Sequence, residues 1–447
     1  MEQTRRRCSG KRAAFAMSHN LPNKLREAAA HLENRFQERE ELIRVLLLAL
    51  MSGEHLMLVG PPGSAKSQLA RSAAALFGSS RSFDYLLTRF TTPDELFGPV
   101  SLQQLKQDRY VRQTQGYLPE ARFAFLDEIF KASSAILNSL LSILNERIFY
   151  NGAEAKEVPL LSLIAASNEL PEEQEGLAAL YDRFLFRYET RYLQQIASFE
   201  RMFQGPDTPP PALLDAGDVR RIQDSASGVA LPEPVLVMLF RLKTLMEEKE
   251  YILSDRRWRR IGRTWQVSAA IHGRDAVSVW DTVLTPHLLW DFPEDLEELR
   301  GIFAGVWQEL LAKEMDKELP LASYRDTLQK WLSREEELSG FQFRKEVGSS
   351  LGRTQAERLA SMTDEARSEL EETARSLQGR LVAWQEKEKQ LPAWIESQSV
   401  FILHADEYAV RFTHLRIGGE KVLQQLQGLY RTLFDKDIPG VSYDYTL

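Results

Sequence analysis

"LMLVGPPGSAKSQLA", from Leu56 to Ala70, is the stretch that decides the fold of this chain. Four apolar residues predict a buried strand, and the glycine- and proline-bearing turn after it leads into a helical pattern that starts at about Ser67. This order matches the phosphate-loop pattern G-x-x-x-x-G-K-[ST], except that Ala65 stands where the last glycine is usual.

An alanine at this position does not by itself remove phosphate binding. A phosphate is held by backbone N–H groups at a helix N-terminus, and alanine has the same N–H as glycine. Glycine is required where φ is positive or where a methyl group would meet the ligand, and we expect Gly63 to meet that requirement. From the loop alone, a tight turn with a surface lysine is the alternative. The predicted nucleotide-binding residues are Gly60, Pro61, Pro62, Gly63, Ser64, Ala65, Lys66, Ser67 and Gln68.

Two further apolar stretches end in polar side chains that suit phosphate chemistry. "FAFLDEI" places Asp127 and Glu128 at the end of one predicted strand, and "LIAASNE" places Asn168 at the end of another. Since parallel strands direct their carboxyl ends to the ligand crevice, Asp127 and Ser67 are expected to hold Mg²⁺ and Glu128 to activate water. Asn168 would orient that water. Taken alone, each motif has a simpler interpretation as the cap of a helix or turn.

Strands that alternate with helices predict a parallel sheet covered by helices on both faces, which is an α/β fold. A helical segment, Leu21–Gly53, precedes the sheet. Asn151-Gly152, between two short extended runs, predicts a projecting β-hairpin because both turn positions favour positive φ. The expected strands of the sheet are Leu56–Val59, Phe83–Thr88, Phe123–Glu128 and Leu160–Asn168.

The rest of the chain is predicted to be helical. Apolar residues recur at steps of three and four along one long helix, and a further helix is expected at about Ala405–Phe434. The stripe of the long helix consists of Leu359, Met362, Ala366, Leu370, Ala374, Leu377, Leu381 and Trp384. The predicted domains are a disordered basic tail at 1–20, an α/β core at 21–204, a linker at 205–218, a helical unit at 219–300 and a helical domain at 301–447.

The composition disfavours several classes of protein. The chain has 447 residues and a net charge of −8, so no overall basic field favours nucleic acid or anionic lipid. No apolar run approaches the roughly 18 residues that a membrane span needs, so no membrane insertion is expected. The single cysteine, Cys8, excludes an internal disulfide, and we predict a cytoplasmic protein without a zinc or iron site. Whether Met1 or Met17 is the true start stays open.

On these motifs the chain resembles the AAA+ ATPases and, among them, the MoxR family, closest to its RavA branch. The resemblance covers about Leu21 to Arg300 and rests on "GEHLMLVGPPGSAKS", "FAFLDEI", "LNERIFYNG", "LIAASNELP", "LYDRFLFR" and "SDRRW". It implies an AAA+ α/β domain, an α-helical lid and a C-terminal long-helix domain similar to the triple-helical domain of RavA. Members of the family commonly have small residues other than glycine where Ala65 stands.

The resemblance also implies roles for individual residues. Lys66 and Ser67 match the Walker A lysine and hydroxyl, Asp127 and Glu128 match the Walker B acids, and Asn168 matches sensor 1.

Two arginines owe their assignment to the resemblance alone. Arg183 in "YDRF" matches the arginine finger, which reaches the γ-phosphate of a neighbouring subunit. Arg256 in "SDRRW" matches the sensor 2 arginine better than Arg257 does. Without the resemblance, Arg183 and Arg256 would both be interpreted as members of ordinary surface ion pairs.

The implied ligands are ATP and ADP with Mg²⁺, and the implied assembly is a hexameric ring. The family implies a partner with a von Willebrand factor A (VWA) domain, whose metal site the ATPase remodels or loads. The RavA branch binds a lysine decarboxylase through a β-rich insert, but Ser333–Arg353 is too short to contain one, so we do not expect that binding. The hairpin resembles the insertion before sensor 1, for which contact with a client and packing within the ring are both open.

Two other function classes stay as alternatives to a ring-forming ATPase that remodels a protein. A nucleic-acid motor shares the ATPase core, but the acidic balance of the chain disfavours it. A nucleotide-switched scaffold would bind ATP and scarcely cleave it, and such a protein has no need of Glu128 or Arg183.

Overall fold

The computed structural model describes residues 20–78, 81–170, 180–204, 210–316, 319–346 and 352–441. The predicted basic tail therefore lies outside the described residues except for its last position, as do residues 205–209 of the predicted linker. The chain divides into two compact units, of which the first comprises Met1–Trp307 and Gln398–Leu403. The second unit comprises Gln308–Ser397 and His404–Leu447.

The first unit is built around a five-stranded parallel sheet with the strand order β2-β3-β6-β1-β7. Its central strands β1 and β6 are buried along their whole length, as expected for a parallel sheet that is covered on both faces. The carboxyl ends of β1, β3 and β6 meet at one edge. In chain order the strands are β1 (His55–Val59), β2 (Ser82–Leu86), β3 (Phe123–Asp127), β4 (Ile148–Asn151), β5 (Glu154–Glu157), β6 (Ser162–Ser167) and β7 (Phe184–Glu189).

Helices surround this sheet and continue beyond it. The expected helical segment at the start is two helices, because the chain leaves the helical conformation at Phe36 and Glu38 has a positive φ of 56°. In chain order the helices are α1 (Leu21–Arg35), α2 (Glu40–Ser52), α3 (Lys66–Ala75), α4 (Pro93–Phe97), α5 (Leu102–Leu105), α6 (Ser134–Glu146), α7 (Ile196–Gln204), α8 (Ala216–Ala226), α9 (Glu233–Glu247), α10 (Asp255–Ile271) and α11 (Leu296–Asp316).

The described end of the predicted linker is tied to the α/β part. The backbone N–H groups of Leu213 and Leu214 both donate to the carbonyl oxygen of Leu76 at 2.9 Å. Helix α8 then begins at Ala216, where the side chain of Asp215 accepts a hydrogen bond from the N–H of Gly217. The sheet and helices α8 to α10 therefore belong to one compact unit.

The expected hairpin is present as the antiparallel pair β4–β5, but its turn lies one residue further along the chain. Asn151 pairs with Glu154, so the turn consists of Gly152 and Ala153, and the buried Asn151 ends β4. Its side chain forms two hydrogen bonds with the backbone of Arg112. Asn151 Oδ1 accepts from the N–H of Arg112 at 2.7 Å, and Asn151 Nδ2 donates to the carbonyl oxygen of Arg112 at 3.0 Å. The segment around Arg112 and the hairpin are thereby fastened together.

The second unit is helical, and its long helix buries all eight apolar positions that the sequence predicts. The expected helix Ala405–Phe434 is present with those bounds and packs against the long helix around a shared apolar core. The helices that complete the chain are α12 (Leu321–Leu332), α13 (Glu335–Glu346), α14 (Arg353–Glu388), α15 (Leu391–Gln398) and α16 (Ala405–Phe434).

The predicted fold class is confirmed: a parallel sheet covered by helices is followed by a helical region. Within the ranges given above, no helix combines the length and the apolar character that crossing a membrane requires.

Candidate functional site

A cleft of about 1060 Å³ lies where the carboxyl ends of the central strands meet. This volume suits a ligand of the size of a nucleotide, since ligand pockets usually measure roughly 300–1,000 Å³. One half of the lining is polar and the other is mainly apolar. The polar half consists of Pro62, Gly63, Ser64, Ala65, Lys66, Ser67, Gln68, Asp127, Glu128 and Asn168. The other half consists of Arg35, Phe36, Gln37, Arg39, Leu86, Tyr192, Leu193, Phe199 and Met202.

The loop after β1 uses positive φ at three positions, not only at Gly63. The φ angles are 145° at Gly60, 76° at Gly63 and 67° at Ala65. A Cβ at Gly60 would lie 2.2 Å from the carbonyl oxygen of Thr190, so a side chain has no space there. Gly63 therefore has the positive φ expected of it, but Ala65 has one as well, and a left-handed conformation costs an L-residue about 1–2 kcal/mol.

Replacing Ala65 with glycine should raise the free energy of unfolding by roughly 0.5–1 kcal/mol. The relief of the left-handed strain exceeds the extra chain entropy that glycine loses on folding. Thermal denaturation measures the change, and Ala74→Gly, inside helix α3, is the matched control that should destabilise by about 1 kcal/mol. A lower melting temperature for Ala65→Gly would contradict this account of the loop.

Helix α3 begins at Lys66, so the free N–H groups of its first turn face the polar half of the cleft. The Lys66 ammonium is buried and donates to the carbonyl oxygens of Gly60 at 2.6 Å and Pro61 at 2.8 Å, and to Asn168 Oδ1 at 3.1 Å. Burial lowers the pKa of Lys66, and the charges of Asp127 and Glu128 oppose that effect. The oxygens that now hold the ammonium group are neutral. Phosphate oxygens are negatively charged, so they would bind the same ammonium group more strongly.

The polar side chains of three strand ends form one hydrogen-bonded chain. The Ser67 hydroxyl donates to Asp127 Oδ2 at 2.7 Å, and Asp127 Oδ1 accepts from the N–H of Glu128 at 3.0 Å. The amide nitrogen of Asn168 donates to Glu128 Oε1, while its oxygen accepts from Lys66. Glu128 has a φ of 54°, a strained conformation of the kind that occurs at functional sites.

This donor set fits magnesium. Mg²⁺ prefers oxygen ligands and usually keeps several waters, so one hydroxyl and one carboxylate beside a phosphate loop are sufficient protein ligands. Ser67 and Asp127 provide these two oxygens and already contact each other. Across the described part of the chain, no cluster of three or more His, Cys, Asp or Glu side chains is arranged to hold a metal ion.

The two candidate arginines lie together, but they do not line the cleft of their own chain. Arg183 Nη1 contacts Asp182 Oδ2 at 3.0 Å, and the exposed Arg256 donates to Asn145 Oδ1 at 3.2 Å. Burial lowers the pKa of Arg183, and the nearby charge of Arg256 lowers it further. Arg183 Nε is buried and has no hydrogen-bond partner among the described residues.

Arg257, the second choice for sensor 2, has a different environment. Its guanidinium is buried and donates to the carbonyl oxygens of Leu288 at 3.0 Å and Trp290 at 2.9 Å, and to Asp291 Oδ1 at 2.7 Å. The same carboxylate also binds the buried Arg187 of β7. Arg257 is thus part of the packing between β7 and the helical region, and it is not available to a nucleotide.

The sequence analysis missed the apolar half of the cleft. Phe36 follows α1, Phe199 and Met202 lie on α7, and Tyr192 donates through its hydroxyl to the carbonyl oxygen of Pro62 at 3.0 Å. Phe36 lies more than 150 positions from the other three residues, so no local motif connects it with them. The amphipathic pattern of "IASFERMFQ" was the one available signal, because Phe199 and Met202 both remain about half exposed.

Two family models match the first unit. The model of the MoxR domain in MoxR-vWA-beta-propeller ternary systems matches residues 23–206, and the model of an AAA lid domain matches residues 234–303. A solved structure of a provisionally assigned ATPase from Cytophaga hutchinsonii has a TM-score of 0.53 at 21% identity and covers 67% of this chain and 98% of its own. This likeness supports the fold alone.

Curated relatives share more of the sequence. Two uncharacterised proteins of Methanocaldococcus jannaschii are similar to this chain. One is 38% identical over 66% of this chain and 78% of its own length, and the other is 37% identical over 72% of this chain and 85% of its own length. The chaperone MoxR1 of Mycobacterium tuberculosis is 29% identical over 42% of this chain and 50% of its own. With the matched domain models and the geometry of the cleft, these similarities identify the chain as a member of the MoxR family of AAA+ ATPases.

Proposed function

We propose that the chain hydrolyses ATP to ADP and phosphate in a ring assembly and uses this reaction to remodel a protein partner. One observation carries the proposal: a single cleft gathers a lysine, a hydroxyl, two carboxylates and an amide from three strand ends. These groups are hydrogen-bonded to one another before any ligand is considered. They are Lys66, Ser67, Asp127, Glu128 and Asn168.

Each group has a defined task in this proposal. The amides at the start of α3 hold the triphosphate, and Lys66 exchanges its carbonyl partners for phosphate oxygens. Ser67 and Asp127 would hold Mg²⁺, which neutralises phosphate charge when it is bound. Glu128, whose carboxylate the Asn168 amide orients, accepts the proton of the attacking water.

The proposed site is completed by a neighbouring copy. Hydrolysis develops negative charge on the terminal phosphate, and a positioned arginine stabilises that charge. Arg183 and Arg256 lie outside their own cleft, and among the described residues Arg183 pairs with Asp182 while the charges of Arg256 and Arg260 lie close enough to lower its pKa. This excess of positive charge suits the phosphate of a second copy, and the family resemblance supplies the expectation of six copies in a ring.

Mixing two inactive variants tests this arrangement. Arg183→Ala removes the finger and Lys66→Ala disables the cleft, so each alone should lose most steady-state phosphate release. In an equimolar mixture, about one interface in four combines an intact cleft with an intact finger, and activity should partly return. Arg259→Ala, exposed on the same helix as Arg256, is the control that should keep its activity. Exchange of labelled subunits without any return of activity would exclude Arg183 as a finger in trans.

The proposed partner is a protein with a VWA domain. The family model that matches residues 23–206 is named for systems that pair MoxR with vWA proteins, which supports this proposal. Strand β5 of the hairpin has a net charge of −1, since Glu154 and Glu157 are exposed beside one exposed cation, Lys156. Such a surface suits a protein client better than nucleic acid. A position near the RavA branch, a cytoplasmic location and the absence of lysine decarboxylase binding stay predictions.

A further inference from the structure

Arg260 connects two parts of the first unit: the loop at Asp182 and Arg183, called the finger loop below, and Glu54, the residue before β1. It lies on α10 one turn after Arg256, and its Nε and Nη2 both contact Glu54 Oε2, with the Nε contact at 3.0 Å. The same guanidinium donates to the carbonyl oxygen of Arg183 at 2.9 Å and to that of Asp182 at 3.4 Å. Both Arg260 and Glu54 have side chains that are 17% exposed, so water screens this contact only in part.

Holding the carbonyl groups of Asp182 and Arg183 in place also restricts the orientation of the Arg183 side chain. The backbone of residues 182–183 sets the direction in which the Arg183 side chain leaves the chain, and among the described residues that side chain forms its ion pair with its neighbour Asp182. The planar guanidinium of Arg260 reaches a carboxylate and two carbonyls at once because it has five donors in a rigid fork. An ammonium group in the same place would be a single point charge.

Other arginines of the same helix do not have these contacts. Arg257 is bound to Asp291, and Arg263 donates to the carbonyl oxygen of Gln223 and to the hydroxyl of Ser227 at 3.0 Å. Among the hydrogen bonds of α10 in the described part of the chain, those of Arg260 alone reach the backbone of Asp182 and Arg183. Arg263 is therefore a matched control: it is an arginine of the same helix with comparable hydrogen bonds that end elsewhere.

We propose that Arg260 is a positioning residue for Arg183 and holds the finger loop on Glu54, so that each subunit presents its finger to the neighbouring nucleotide in a fixed direction. This inference rests on the proposed function, in which Arg183 acts in trans. Arg260 does not line the cleft of its own chain, so it affects hydrolysis at the neighbouring site and leaves nucleotide binding at its own site unchanged.

The experiment begins with hydrolysis and nucleotide binding of the full chain. Arg260→Ala should lower ATP hydrolysis at least tenfold and leave the calorimetric Kd for ADP with Mg²⁺ within about twofold of the unmodified protein. Arg260→Lys should recover part of the rate, because it keeps the charge and one donor. Arg263→Ala should hydrolyse ATP at close to the normal rate. A rate for Arg260→Ala equal to that of Arg263→Ala would overturn the inference, and so would a parallel loss of ADP binding.

Subunit mixing then separates a positioning role from general damage. Arg260→Ala mixed with Lys66→Ala should regain activity, because the first supplies an intact cleft and the second an intact finger. Arg260→Ala mixed with Arg183→Ala should regain none, because both lack a working finger. If Arg183→Ala mixed with Lys66→Ala regains activity but Arg260→Ala mixed with Lys66→Ala does not, the positioning role of Arg260 is excluded, while the role of Arg183 in trans still stands. If neither mixture regains activity although subunits exchange, the finger in trans fails and takes the inference with it.

Discussion

Glutamine at position 128 is expected to lower steady-state ATP hydrolysis by ~10²-fold or more while ATP binding is kept. Glutamine has nearly the size of glutamate, and its oxygen still accepts the hydrogen bond that the Asn168 amide donates to Glu128 Oε1. It does not accept a proton from water at neutral pH. The lysine, hydroxyl and aspartate proposed to hold the phosphates and magnesium are unchanged, so the loss should fall on the chemical step.

Phosphate release measures the rate of Glu128→Gln, and calorimetry with ATP and Mg²⁺ measures its binding. Glu169→Gln is the matched control, since this carboxylate is adjacent to Asn168 but does not line the cleft. An unchanged rate for Glu128→Gln would remove Glu128 from the role of base. The slow variant has a further use, because under the proposed function a pull-down in the presence of ATP should retain a protein partner that turnover would release.

The substitution Asp291→Asn is expected to lower the free energy of unfolding by about 3 kcal/mol. Asp291 is the carboxylate shared by two buried guanidinium groups, those of Arg187 and Arg257. Removing its charge leaves both cations in the interior without a salt-bridge partner among the described residues. The estimate lies at the lower end for a broken buried pair because the Asp291 side chain is itself 46% exposed and therefore partly screened.

The pKa of Asp291 gives the expected pH dependence of this stabilisation. Burial raises this pKa, but Arg257 and Arg187 outweigh the effect and hold it below its usual value. A depressed carboxylate pKa contributes stability at neutral pH, and the contribution is lost as the pH falls through the pKa of the folded state.

Urea unfolding of Asp291→Asn measures the loss, with Glu298→Gln as the control. Glu298 contacts Lys249 at an exposed position, so its substitution should leave the free energy of unfolding nearly unchanged. At acid pH the difference between Asp291→Asn and the unmodified protein should become smaller. Equal midpoints for the two variants at neutral pH would show that Asp291 does not stabilise the interior.

The sequence predicts those parts of the molecule that a local pattern determines. Helix α14 is an example, because the burial of Leu359 through Trp384 follows from the helical period alone. The ends of β3 and β6 are predictable from another local pattern, because an apolar run that stops at a polar residue marks the end of a buried strand. Strand β7 was missed because Arg187 interrupts its apolar run, although that arginine is buried against Asp291.

Other features depend on contacts between distant residues and have no local signal. The requirement for positive φ at Ala65 depends on the path of the loop between β1 and α3, which the residue type does not reveal. The apolar half of the cleft brings Phe36 of the first helical segment beside Phe199. Arg256 matches a family position, yet only the fold places it beside Arg183 and outside the cleft.

The pairing of Asn151 with Arg112 has a mechanical consequence. A side-chain amide that both donates to and accepts from one peptide unit acts as an extra rung of a ladder, and Gly152 leaves no gap because a Cβ there would lie 2.2 Å from the carbonyl oxygen of Tyr110. The segment around Arg112 and the β4–β5 hairpin are therefore expected to move together and not independently. A force on either would therefore be expected to reach the start of β6, the central strand of the sheet, a few residues further along the chain.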